Sequence, residues 1–92
     1  MKKFKDSLTQ QIFEGVAVKK ISFSISRKAV IKLTMVEAAT EISELATPPS
    51  NHLEKLKGNR MGQWSIRVNN KYRICFKWYN NRAFEIEFTD YH

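Results

Sequence analysis

The stretch QWSIRVNNKYRICFKWYNNRAFEIEFTD, residues 63–90, decides the fold. It holds three runs in which every second residue is apolar: Trp64, Ile66 and Val68; Tyr72, Ile74, Phe76 and Trp78; Phe84, Ile86 and Phe88. A period of two belongs to a strand with one buried face. All three runs use even numbers, and that shared parity restricts the hairpins. A two-residue turn at Asn69 and Asn70 would set Val68 against Lys71, on the wrong face. A loop over residues 69–71 instead pairs Val68 with Tyr72 and Ile66 with Ile74, using asparagine in a left-handed position. A loop over residues 80–82 pairs Trp78 with Phe84 and Lys77 with Glu85. Upstream, a loop over residues 58–62 pairs Leu56 with Trp64 and Lys57 with Gln63. The expected product is an antiparallel meander with helices on its even face.

Upstream of Pro48 and Pro49 the period is helical. Residues 2–5 suit a short first strand. Residues 7–13 suit a short helix, with Leu8, Ile12 and Phe13 at helical spacing and Gly15 ending it. Residues 21–25, ISFSI, are read as a connector, with Ser24 or Ser26 capping a helix that runs to about residue 39. Ala29, Leu33 and Val36 form its inner face. Residues 40–45 suit a further short helix, which the two prolines terminate.

Ninety-two residues suit a single domain, 1–92, with one modest core. No apolar stretch follows Met1, so neither a signal peptide nor a membrane span is expected, and the cytoplasm is the expected compartment. The lone Cys75 reads as a small packed side chain. No His or Cys cluster has metal-ligand spacing, so neither metal nor cofactor is expected.

The net charge is +7. Lys55, Lys57, Arg60, Arg67, Lys71, Arg73, Lys77 and Arg82 face one acid, Glu54, within residues 52–82. The other bases and acids cancel, so the whole excess lies in that segment. Such concentration favours a polyanion, most simply nucleic acid. The register above also sets Arg67 against Arg73, with Thr89 as the next neighbour in the row. Like charges directly opposite are unfavourable. The pair therefore reads as a cationic fork for a phosphate, which arginine can hold through two bonds.

The segment LEKLKGNRMGQWSIRVNNKYRICFKW, residues 53–78, with the ending Asp90-Tyr91-His92, resembles the HigB-type toxins, relatives of RelE in bacterial toxin–antitoxin pairs. The likeness extends to EAATEISEL and PPSNHLE upstream, and so spans most of the chain. It implies an α+β, RelE-like fold with helices on one face of a twisted antiparallel sheet. It implies a metal-independent endoribonuclease, an mRNA interferase, that acts on translated mRNA in the 70S ribosome. The implied partners are a helix-turn-helix, HigA-like antitoxin, the ribosome with its mRNA, and operator DNA only through the antitoxin complex. Lys57 and Arg73 match basic active-site residues of that family, and Asp90, Tyr91 and His92 match its functional carboxyl-terminal group. Some members carry a catalytic histidine just before the Leu-Lys-Gly motif. Here Glu54 stands in that place with His52 two residues earlier, and both are candidate substitutes.

The residues suit the chemistry. Metal-free RNA cleavage turns the ribose 2′-OH on the adjacent phosphate. It needs a proton acceptor, a proton donor for the leaving 5′ oxygen, and cations for the charge on phosphorus. Arg67, Arg73 and Lys57 are candidate cations, and Lys55, Arg60, Lys71 and Lys77 candidate RNA contacts. His92 suits proton transfer, Asp90 could orient it, and Tyr91 could stack on a base. Strict alternation would send Asp90 and His92 to the even face, so a shared site needs a break or bulge near Thr89. The alternative is a non-catalytic nucleic-acid-binding module. It is disfavoured because Trp64, Tyr72, Phe76 and Trp78 have the buried parity, whereas RNA-binding sheets expose their aromatics.

Overall fold

The computed structural model describes residues 1–90. Asp6 opens helix α1, Ser7–Phe13, by accepting a hydrogen bond from Thr9 N at 2.9 Å. Helix α2, Phe23–Ala38, starts earlier than expected. The cap is Ser22, whose Oγ accepts from Ile25 N at 3.3 Å, so Ser24 and Ser26 lie inside the helix and ISFSI is mostly its first turn. The two polar alternate positions in that run mimic a strand, but a cap that satisfies a first-turn N–H decides for helix. Ala29, Leu33 and Val36 are fully buried, as their spacing requires. Short 3-10 turns follow at Ile42–Ala46 and Pro49–Asn51.

The sheet has four antiparallel strands in chain order: β1, Glu54–Lys55; β2, Gln63–Arg67; β3, Tyr72–Tyr79; and β4, Arg82–Asp90. Ile66, Ile74, Phe76 and Ile86 form the sheet's half of the core against α2. The buried Thr9 ties α1 to β4 by accepting from Phe88 N at 3.0 Å. Residues 2–5 lie along the outer edge of β4. They form only an isolated parallel bridge, Phe4 with Ile86, rather than a full strand.

The β2–β3 register is the expected one, Ile66 against Ile74 and Arg67 against Arg73. Its loop closes differently, because Asn69 Oδ1 accepts from the backbone N–H groups of Lys71 and Tyr72, at 2.9 and 2.7 Å. The side chain caps the turn, and none of residues 69–71 takes a positive φ.

Two registers differ from expectation. The β3–β4 turn has two residues, Asn80 and Asn81, at φ 55° and 62°. Two left-handed asparagines make the hairpin turn whose twist suits the strands. Lys77 therefore faces Phe84, not Glu85, and Trp78 faces Ala83. A bulge with Glu85 at φ 53° then restores the expected ladder, Cys75 with Glu87 and Ile74 with Phe88. β1 is shifted by one residue: Lys55 faces Trp64 and Glu54 faces Ser65. Glu85 is a bulky residue in a left-handed conformation. Glu85→Gly should stabilise the fold by about 1 kcal/mol, whereas Glu85→Val should destabilise it by more than that. Urea unfolding of the two variants checks both signs.

Candidate functional site

The odd face of the sheet is not an open basic surface. Ser65 and Cys75 are fully buried on it. They are roofed by polar groups, chiefly Arg60, whose Nη1 donates to Gln63 Oε1 at 3.1 Å and to Glu87 Oε1 at 3.0 Å. Glu87 also meets Lys5 Nζ at 3.4 Å. Burial pushes the Cys75 thiol up, against the nearby Arg60, so it is a packed side chain rather than a poised nucleophile.

At the centre of the site Arg73 lies along this face with its side chain only 12% exposed. Its Nε donates to Ser65 Oγ at 2.8 Å. Its Nη2 donates to the carbonyls of His52 at 2.6 Å and Ser65 at 3.4 Å. The same Nη2 forms an ion pair with Glu54 Oε1 at 3.2 Å. His52 takes a left-handed φ of 45°, straight after the Pro49–Asn51 turn. Its contribution to the site is a backbone oxygen.

The expected fork between Arg67 and Arg73 is not formed. Their backbones are in register, but Arg67 bonds Asn70 Oδ1 in the hairpin while Arg73 reaches over β2 toward β1. The carboxylate that relieves the like-charge contact is Glu54. The expected register sent Glu54 to the even face. The observed one-residue shift turns it onto the face of Arg73 and turns Lys55 toward Trp64.

Other candidates scatter. Lys55 Nζ lies 5.7 Å from the Trp64 ring and Lys71 Nζ 5.4 Å from the Tyr72 ring, so both are drawn to aromatics of the helix-facing side. Lys77 is exposed opposite Gln63, and Lys57 is exposed where the Gly58–Arg60 turn begins. Asp90 is exposed opposite Tyr72, while Thr89 faces Arg73. The ladder stays regular to Asp90, so the break near Thr89 that would swing it toward Arg73 does not occur before that residue. Tyr91 and His92 lie outside the described residues.

Sequence reasoning missed Ser65, which orients Arg73 from beneath. The available signal was a small hydroxyl one pleat from an arginine on the neighbouring strand. The assembled unit is an arginine clamped on its inner side, with an exposed carboxylate on its outer side. Glu54 is 56% exposed, so a stronger anion can displace it from the guanidinium at little desolvation cost. Among the described residues no His, Cys, Asp or Glu group could hold a metal ion, and no helix is long and apolar enough to cross a membrane.

Residues 2–92 match the family described as RelE-like toxin of type II toxin-antitoxin system HigB. The chain is 40% identical over 81 residues to Toxin HigB-1 of Vibrio cholerae, covering 87% of this chain and 85% of that one. It is 35% identical over 81 residues to an uncharacterized protein of Haemophilus influenzae, covering 87% and 80%. It is 41% identical over 61 residues to Endoribonuclease HigB of Proteus vulgaris, covering 66% and 65%. Two helices on a four-stranded antiparallel sheet are the α+β arrangement of the RelE-like fold. A toxin of this type has an antitoxin partner. The chain belongs to the HigB-like family, the RelE-like toxins of type II toxin–antitoxin systems.

Proposed function

We propose that this toxin is an endoribonuclease that cuts translated mRNA on the ribosome and is held inactive by a helix-turn-helix, HigA-like antitoxin. Operator DNA is met only through the complex of the two. The observation that carries the reading is the clamped Arg73 with the exposed Glu54 carboxylate 3.2 Å from its Nη2, in a chain of this family. The scissile phosphate displaces Glu54 from Arg73. Glu54 then accepts the proton of the 2′-OH as that oxygen bonds to phosphorus. The bond from phosphorus to the 5′ oxygen breaks, and a second group, for which His92 is the candidate, protonates the leaving oxygen. The products are a 2′,3′-cyclic phosphate and a 5′-OH. Lys57 is the candidate for further positive charge on the phosphate, and Asp90 and Tyr91 are the candidates to position His92 and the base.

Two substitutions separate the candidate bases. Glu54→Gln should slow cleavage roughly a hundredfold or more, the usual effect of losing a general base. His52→Asn keeps a left-handed residue and its carbonyl and should leave cleavage nearly unchanged. The reverse pattern would transfer the role to the His52 imidazole. Substrate positioning is left largely to the ribosome, because a small clamp and a short tail hold RNA weakly. Induced expression with and without the antitoxin, followed by mapping of mRNA ends, tests the whole reading. Cuts within translated frames that vanish on antitoxin expression support it. Rapid cleavage of an unstructured RNA without ribosomes would overturn the ribosome requirement.

A further inference from the structure

Away from Arg73, helix α2 and the β2–β3 hairpin enclose a cleft of about 310 Å³ lined by Lys28, Ile31, Lys32, Ser50, Arg67 and Val68. Three of these six side chains are cations, and among the described residues no carboxylate lines the cleft. Lys28 and Lys32 are one helical turn apart and share a face of α2. Lys32 is held in place by Asn51 Oδ1. Asn51 is fully buried, and its amide group is oriented by donating to the carbonyls of Leu45 at 3.1 Å and Thr47 at 3.3 Å. Burial and the neighbouring Lys28 push the Lys32 ammonium below the ordinary lysine value. A folded chain that holds two ammoniums and a guanidinium around one cleft is built to receive negative charge.

Arg67 says which anion. It stands directly opposite Arg73 in the ladder, yet its side chain turns to the cleft while that of Arg73 turns toward β1. The two guanidiniums leave one cross-strand pair in two directions, so a chain of phosphates crossing the hairpin meets them in succession. We propose that the Lys28–Lys32–Arg67 cleft is a second phosphate site, seating a backbone phosphate of the same RNA strand whose scissile phosphate lies at Arg73. The proposal rests on the endoribonuclease reading for the identity of that strand. A phosphodiester presents its oxygens to cations on several sides, and the cleft offers cations from two elements. A lone carboxylate would be satisfied by the arginine fork alone. Ser50 adds a hydroxyl donor at the rim.

The test is equilibrium binding of a fluorescein-labelled, unstructured 2′-O-methyl RNA to the full chain across a salt series. That RNA cannot be cut by 2′-OH attack, so binding is read without cleavage. Lys28→Gln/Lys32→Gln should weaken binding several-fold at low salt. It should also reduce the slope of log K against log salt by about 0.7, the value for one phosphate contact on a single strand. If the double variant melts at much lower temperature than the parent, Arg67→Gln on the hairpin reads the same slope. An unchanged slope with both variants overturns the proposal. If antitoxin affinity falls at the same time, the cleft is a protein-docking site instead. A reduced slope in a protein that cuts no mRNA supports the cleft as a phosphate site and refutes the endoribonuclease reading alone. Normal mRNA cleavage with an indifferent slope refutes the cleft alone.

Discussion

Arg73→Ala should abolish mRNA cleavage and also weaken the fold. The guanidinium is the preorganised donor for charge developing on the phosphate. Removing one such donor typically slows catalysis roughly a hundred- to a thousandfold. The same group satisfies the hydroxyl of the fully buried Ser65 and the carbonyl of the left-handed His52. Its loss should therefore lower stability by about 1–3 kcal/mol. The register alone suggests the opposite sign, since deleting one of two facing arginines would relieve repulsion. The Glu54 ion pair removes that benefit. Arg73→Lys separates the two roles. It keeps a charge but cannot reach Ser65, His52 and a phosphate together. It should melt closer to the parent and still cleave poorly in a ribosomal assay. A folded, fully active Arg73→Lys would show that a positive charge alone suffices there and that the guanidinium's several bonds serve only the fold.

Deleting Tyr91 and His92 should remove activity while leaving the fold in place. β4 is anchored upstream of them: Ile86 is fully buried, Phe88 is 3% exposed, and Phe88 N is bonded to Thr9. The ladder is regular to Asp90. Stability should thus change by no more than about 1 kcal/mol. Cleavage should fall roughly a hundredfold or more if His92 supplies the proton to the leaving oxygen. His92→Gln, which bonds but does not titrate, should impair cleavage more than ribosome binding. The measurement is growth inhibition by the truncated chain with its soluble level verified. Undiminished toxicity would assign the reaction to Glu54, Arg73 and Lys57 alone.

The strands and the face they bury were legible because a period of two repeats through ten apolar positions, of which Phe84, ahead of the bulge and opposite Lys77, leaves the core face to Ala83. Helix α1 was legible from its apolar spacing and Gly15. Besides the β3–β4 turn and its bulge, three features escaped. The start of α2 turned on which of three closely spaced serines caps it, and any of them can accept the bond. The β1 register turned on a loop that begins at Lys57, not Gly58, and one residue decided whether Glu54 met Arg73 or the core side. The odd face was read as open because alternation says nothing of what lies above it. The roof over Ser65 and Cys75 comes from Arg60, far from its partner Glu87 in sequence. Lys28 and Lys32 were not among the candidate RNA contacts for a related reason. They belong to the half of the chain whose charges cancel on paper, though their acids are elsewhere in space.

The bulge at Glu85 makes the last hairpin tolerant of a shorter strand, which substitution scans will not reveal. Ahead of the bulge the ladder pairs Lys77 with Phe84; beyond it, Cys75 pairs with Glu87. Between these pairs β3 has one residue, Phe76, and β4 has two, so removing Glu85 would leave a regular ladder in which Phe76 faces Ile86 and Phe88 still faces Ile74. The same deletion made together with one added residue in the Asn80–Asn81 turn should be tolerated as well. That double change reproduces an unbulged hairpin with a three-residue loop, and every pair from Cys75 and Glu87 onward is unaltered. Relatives that lack the bulged residue should therefore need no compensating change in the turn, and their strands would still end on the same face.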